Sequence, residues 1–403
     1  MDRFSKKNIL LHRCVQCHKL FPHAFKGFCD CGGMIDIEYK IENVTLYDSP
    51  DPFVRFADLL PLEDSSLIHS PRQEYTPCVH AKELGKFLGL PNLYLKNETV
   101  FPTGTTKDRM ACVAMAYLWE CGIRKFAISS TGNSSTSYSH AIKKYPDCQL
   151  YLFSAEQFWE QVHFEPCDQI IPFVLKDASF VQACEYTKQF AQNKQITFEQ
   201  GFFNPGRREG LKTAFLEASE QVPGNIDWYV QAVSSAMGVY GVYKGAKELL
   251  ELKRISILPK LLCVQQESCA PIVNAYKEGC DQIQPHHLVE RPYGIARAIL
   301  RGNPGKEYPY IKKIVQDSKG TLLAVSEQEI REARKMVEEM EGIFPCFAAS
   351  CAMAGLIKKV RNGNFPKQET ILVNLTGSDR KPAKLDRKAH RLVYDNKEWK
   401  MAI

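Results

Sequence analysis

The sequence predicts an α/β protein: two domains with twisted, mostly parallel sheets, and a cysteine-rich ribbon ahead of them. Three observations carry this. Short apolar runs alternate with longer amphipathic ones along most of the chain. The 403 residues suffice for two core-bearing domains and a small appendage. Four of the 15 cysteines fall in two short knuckles near the start.

The ribbon comes first. Residues 12–39 read HRCVQCHKLFPHAFKGFCDCGGMIDIEY. Cys14 and Cys17 form C-x-x-C; Cys29 and Cys31 form C-x-C before Gly32 and Gly33. Two thiolate knuckles so spaced can wrap one tetrahedral zinc, and the glycines let the backbone turn its N–H groups toward the sulfurs. Four buried thiols without metal is the other reading. His12, His18 and His23 read as surface histidines. The prolines at 50, 52, 61 and 71 mark an ordered connector with a short helix near 53–60.

The alternating part follows. A helix is expected over 80–88 and a buried strand over 93–96. Then come helix 109–121, strand 125–129, helix 134–144, strands 149–153 and 170–174, and helix 180–192. Helix 208–221 leads to strand 228–233, helix 238–253 and strand 260–265. Strand 321–325 precedes a helix opened by the capping box Ser326 and Glu329. Helix 348–360 and strand 370–375 close the pattern. The expected division is a ribbon over 1–40, a large domain from 41–105 and 223–403, and a small domain over 106–222.

Composition narrows the function classes. Hydrophobic residues at 44% and charged residues at 24% are ordinary for a globular protein. The net charge of +6 is dispersed, which argues against nucleic-acid binding. The densest basic run, Arg380–Arg391, reads as a solvated face or tail. No apolar stretch approaches the roughly 20 residues of a membrane span. MDRFSKKNILLHRC has no signal-peptide core. A cytoplasmic location follows as the expectation, with cysteines that are thiols or metal ligands rather than disulfides.

The stretch that organises the rest is Asn97–Arg109, NETVFPTGTTKDR. It leaves a strand, breaks at Pro102 and Gly104, and restarts as a helix with Lys107 at the joint. The positive end of a helix dipole lowers an ammonium pKa. Three more strand-to-helix turns carry small polar residues: Ser129–Ser135, Ser234–Gly238 and Thr376–Ser378. Ligands of open α/β sheets bind at the carboxyl ends of strands, so these turns can converge on one crevice. SSTGNSST suits a carboxylate and SSAMG a phosphate.

In order and spacing these segments resemble the pyridoxal-phosphate enzymes of fold type II, the threonine synthase branch in particular, over nearly the whole chain. LYLKNETVFPTGTTKDR resembles the cofactor-lysine segment, which implies Lys107 as the Schiff-base lysine. SSTGNSST resembles the loop whose Asn, here Asn133, lies beside the cofactor's phenolic oxygen. The same loop implies Ser130, Thr131 and Ser134 at the substrate carboxylate. FNPGRREGLKTAFLE and GIARAILRGNP are further matches. VSSAMGVYGVYKG resembles the phosphate cradle, implying Ser234, Ser235, Ala236, Met237 and Gly238, although Ser234 and Met237 replace glycines. NLTGS implies Thr376 at the pyridine nitrogen. The branch also carries such an N-terminal ribbon, and the family forms homodimers.

Pyridoxal phosphate acts as an electron sink for a carbanion. A hydroxyl rather than an acid at the pyridine nitrogen moderates that sink and suits elimination and replacement. The resemblance implies that Lys96 and Arg207 meet a substrate phosphate, as in the family's threonine synthases. There are departures. Gly201 stands where those enzymes usually have Asn, and GIFPCFAA puts Cys346 in place of a Glu. The expectation is a carbon–oxygen lyase of amino-acid biosynthesis converting O-phosphohomoserine to threonine. The alternative is β-replacement on O-phosphoserine or another activated serine. A fold kept for regulation without turnover, and a zinc-ribbon nucleic-acid binder, are the competing readings from other classes.

Overall fold

The computed structural model describes residues 10–363, 365–385, 388–395 and 398–401. Residues 1–9 of the expected ribbon, and 386–387 of the basic run, lie outside these. The strands are β1 (Leu10–Cys14), β2 (Leu20–Phe21), β3 (Ile35–Tyr39), β4 (Cys78–His80), β5 (Leu93–Asn97), β6 (Lys125–Ser129), β7 (Gln149–Ala155) and β8 (Ile170–Leu175). They continue with β9 (Thr197–Phe198), β10 (Trp228–Ala232), β11 (Lys260–Gln266), β12 (Thr321–Val325), β13 (Ile371–Leu375), β14 (His390–Asp395) and β15 (Glu398–Met401).

The chain divides into two compact units: residues 1–73, 107–210 and 380–403, and residues 74–106 and 211–379. The first unit holds two sheets. One is the ribbon, antiparallel in the order β2-β1-β3. The other runs β15-β14-β8-β7-β6-β9 and is parallel except for the β14–β15 hairpin. Its core is aromatic: Phe153 stacks on Phe173 at 4.5 Å, with Phe190 across both.

The second unit is built on β12-β11-β10-β13-β5-β4, parallel but for β4. Every residue of β10 and β13 is buried, as strands covered on both faces require. Leu95, Val230, Val264 and Val373 meet Ala352, Met353 and Leu356 of helix Phe347–Arg361 in one core.

Most expected elements are present with ends shifted by a few residues. The helix expected from 109 begins at Lys107, the one from 208 begins at Pro205, and the capping box Ser326–Glu329 is made. One reading narrows and one needs correction. The basic run, expected as a solvated face or tail, is a face and not a tail: most of its described residues are exposed, yet Ala383 N–H donates to Glu160 O at 2.7 Å, and β14 pairs with β8. His12 is 3% exposed, its Nε2 3.1 Å from His23 Nδ1, and His23 Nε2 lies 2.6 Å from Glu120 Oε2.

Candidate active site

In the first unit, Lys107 opens helix Lys107–Glu120. Its pKa falls from 10.5 to about 8, first because burial disfavours the charge and then because the Arg207 guanidinium repels it. A half-buried amine so tuned is a nucleophile near neutral pH.

Arg207 is brought there by backbone packing. A Cβ on Gly210 would lie 2.4 Å from Arg109 O, and one on Gly206 would lie 2.9 Å from Ala114 Cα. Only glycine at both positions lets helix Pro205–Gln221 approach helix Lys107–Glu120 so closely. Glu199 then fixes the guanidinium, accepting Arg207 Nε at 2.5 Å and Nη2 as well. The same carboxylate accepts Tyr138 OH and Asn204 Nδ2 at 2.6 Å each, and Gly201 N at 3.1 Å. Burial opposes the charge on Arg207, but Glu199 outweighs it and holds the pKa above its ordinary value. The remaining edge, Nη1, points to Ser134 Oγ at 3.5 Å.

The loop 129–135 is a helix start. Gly132 has φ 129°, and a Cβ there would lie 2.7 Å from Gln161. Ser130 Oγ accepts Gly132 N at 3.1 Å and Ser135 N at 3.2 Å, so this hydroxyl builds the loop. Asn133 and Ser134 open helix Asn133–Ala141; together with Thr131 they are half-buried.

In the second unit, Ser234 and Ser235 lead to Ala236, a left-handed residue at φ 56°. A left-handed alanine costs roughly 1–2 kcal/mol, and such outliers concentrate at ligand sites. Helix Met237–Glu251 follows with no side chain capping it. Its first amides are the donors an anion needs. A Cβ on Gly238 would meet Gln231 Nε2 at 2.7 Å, so this turn is tightly backed.

Thr376 ends β13. Its carbonyl accepts Thr106 N at 2.9 Å, Gly104 O accepts Ser378 N at 2.9 Å, and Gly377 O accepts Cys346 N at 2.9 Å. Lys107 is the residue that follows Thr106 in the chain. Thus the strand end is stitched both to the segment leading into the lysine and to the turn that departs from the family.

Lys96 is in another environment. It is fully buried, donates to Thr76 O at 2.7 Å, and pairs with Glu217 Oε1 at 2.5 Å. Thr76 Oγ1 lies 2.6 Å from Glu98 Oε1 and 2.7 Å from Glu217 Oε1.

The ribbon sulfurs converge. The Sγ atoms of Cys14, Cys17, Cys29 and Cys31 all lie within 4.8 Å of one another, with Cys14–Cys31 and Cys17–Cys29 at 3.5 Å. A zinc with Zn–S near 2.3 Å needs sulfurs about 3.8 Å apart, so the set fits a structural metal. Amides of Gln16 and Cys17 point at Cys14 Sγ, at 3.4 and 3.5 Å. Burial raises the Cys14 thiol, but these donors win and lower it to about 7. Glu278, Cys280 and His287 also cluster, without the right donor. His287 Nδ1 accepts Gln284 N at 3.0 Å, so the neutral ring carries its proton on Nε2, toward Glu278.

Sequence reasoning missed Glu199, Tyr138 and Glu217. Glu199 lies eight positions before Arg207, while Tyr138 and Glu217 come from segments distant from Arg207 and Lys96, and no local pattern marks any of them.

Comparison with known proteins identifies the family. The family model described as pyridoxal-phosphate dependent enzyme matches residues 69–377. A threonine synthase of Methanocaldococcus jannaschii is 31% identical over 382 residues, covering 91% of this chain and 92% of that protein. A cysteate synthase of Methanospirillum hungatei is 26% identical over 381 residues, covering 90% and 88%. Among solved structures, maize serine racemase superposes with a TM-score of 0.61 at 18% identity, over 75% of this chain and 88% of that one. That last likeness speaks for the fold.

Proposed function

Because the chain belongs to the pyridoxal-phosphate dependent enzyme family, we propose that it catalyses elimination and replacement on a phosphorylated amino acid, with O-phosphohomoserine to threonine and phosphate as the leading case. The observation that carries this is Arg207: a guanidinium locked by Glu199, with one edge left toward Ser134 in the proposed carboxylate loop.

The cofactor is pyridoxal 5′-phosphate, which when bound supplies the electron sink for a carbanion. Lys107 would hold it covalently. Asn133, Thr376 and the turn Ser234–Ser235–Ala236–Met237–Gly238 would supply its polar contacts. Lys107, with its pKa near 8, can accept and return a proton at the substrate's Cα at neutral pH. Thr131 and Ser134, with the amides opening helix Asn133–Ala141, would orient the substrate carboxylate; Ser130 shapes that loop. Arg207 Nη1 would stabilise charge building on a leaving phosphate, more in the transition state than before it. Lys96 is the weaker half of this assignment, since contacting phosphate would mean leaving Glu217.

β-Replacement on O-phosphoserine or another activated serine is the second reading. Relatives named cysteate synthase favour it, as does Cys346, whose amide meets the Thr376 strand end where threonine synthases carry a Glu. The proposal includes one structural zinc on Cys14, Cys17, Cys29 and Cys31, and a homodimer. The enzyme is an expected carbon–oxygen lyase.

The test is a panel of phosphorylated and acetylated homoserines and serines, assayed for released phosphate and for the amino-acid product. Threonine from O-phosphohomoserine supports the leading case; turnover of O-phosphoserine alone moves the protein to the second reading; turnover of neither sinks both. Borohydride reduction of the loaded protein, which should absorb at roughly 410–420 nm, is expected to label Lys107 on peptide mapping. Metal analysis should find about one zinc per chain, lost in Cys14→Ser.

A further inference from the structure

The loop 129–135 makes one contact that the proposed chemistry leaves unused. Arg380, from the basic run beyond β13, directs Nη2 at Asn133 Oδ1 and, at 3.4 Å, at Gln161 O. Gln161 is also the residue against which Gly132 packs without room for a Cβ. Loop, Gln161 and Arg380 thus form one packed group inside the first unit.

The chemistry of the contact is one-sided. A guanidinium has donors and no acceptor, so the atom it meets must be the amide oxygen. A flipped Asn133 would set its NH2 against a cation. Arg380 therefore fixes which end of the carboxamide faces the other way, and that end is Nδ2. Asn133 is half-buried, and among the described residues its side chain is hydrogen-bonded through Oδ1, to Arg380, and not through Nδ2. A cation behind the oxygen also polarises the amide and strengthens the opposite N–H as a donor.

We propose that Arg380 is a positioning residue that locks the Asn133 amide so that Nδ2 donates to the cofactor's phenolic oxygen. This rests on the assignment of Asn133 to that oxygen. The contact also gives a reason why the basic run is folded back instead of free.

The experiment loads wild type, Arg380→Ala, Arg380→Lys, Asn133→Ala and the double variant Asn133→Ala/Arg380→Ala with pyridoxal phosphate at one fixed pH. Cofactor dissociation constant and visible band are read for each, and the thermal midpoint of the cofactor-free forms controls for folding. Loss of one such bond is expected to weaken cofactor binding about 3- to 10-fold and lower the visible band in both single alanine variants. The double variant should lose no more than the larger single loss, because both changes remove the same contact. Arg380→Lys, which keeps a donor, should recover part of the band. Arg380→Ala behaving as wild type while Asn133→Ala is impaired would overturn the proposal, as would losses that simply add. A normal band in Asn133→Ala overturns the Asn133 assignment and the proposal with it. No band in wild type would overturn the reading of Lys107 instead.

Discussion

Two buried cations expected at a substrate phosphate have different fates in the two units. Arg207 is clamped by Glu199 through Nε and Nη2, yet keeps Nη1 toward Ser134. Lys96 is sealed at 0% exposure between Glu217 and Thr76 O. The difference is one of shape. A planar guanidinium can be held along one edge and offer another, whereas a compact ammonium buried with its partners has no second face. Anchored and available are compatible for arginine and opposed for lysine.

The largest expected effect tests the lysine. Lys96→Ala removes the cation paired with the buried carboxylate of Glu217 and should cost on the order of 3–5 kcal/mol of folding stability, read by denaturant unfolding. The folded fraction should keep its preference for phosphorylated over acetylated substrate. A lost preference at unchanged stability would break the comparison.

Arg207→Ala comes next. Turnover of the phosphorylated substrate should fall by about 2–4 kcal/mol, roughly 30- to 1000-fold, with little change on the acetylated form. Equal losses on both would mean that Arg207 serves the carboxylate or the shape of the site.

A third measurement concerns the coupling to Lys107. A lysine held near 8 when folded and near 10.5 when unfolded binds fewer protons folded between those values. The stability of cofactor-free protein should therefore rise as pH climbs through that window. Arg207→Ala should shrink the rise by roughly 1 kcal/mol, since burial is the larger cause and stays. An unchanged rise would remove Arg207 as a neighbour of the lysine.

The smallest effect is a gain. Gly201 sits at φ 59° with nothing near its missing Cβ, a conformation asparagine tolerates better than other side chains. Gly201→Asn should fold normally and tighten a phosphorylated substrate by about 0.5–1.5 kcal/mol, one neutral hydrogen bond. Tightening of the acetylated form as well would argue against a phosphate there.

What the sequence disclosed follows from the same physics. Parallel strands such as β10 and β13 are mostly apolar runs between polar turns, and they were legible, as were the turns that carry Lys107, Asn133 and Thr376 after β5, β6 and β13. β14 was not: its apolar pair Leu392–Val393 is short and sits among His390, Arg391 and Asp395 like part of a tail, and pairing with β8 makes it a strand. Glu199 was equally hidden: it lies eight positions before Arg207, but the buried cluster that joins it to Arg207 also needs Tyr138, 61 positions away. Lys96 shows the same limit: its type and place suggested a ligand, and nothing local announced its pairing with Glu217, on a distant helix.

The ribbon's docking has a consequence for how the chain is made. Its partners are Tyr117, whose hydroxyl donates to Ala24 O, Phe203 against Phe28, Arg208 on Ile35 O and Asp36, and Glu209 on Tyr39. About 170 residues separate Tyr39 from Arg208. At the pace of a ribosome, 5–20 residues per second, roughly 10–30 s pass before that seat exists. Through that interval the four thiols are on their own, so whatever ion they meet in the nascent chain is met before the rest of the fold can choose.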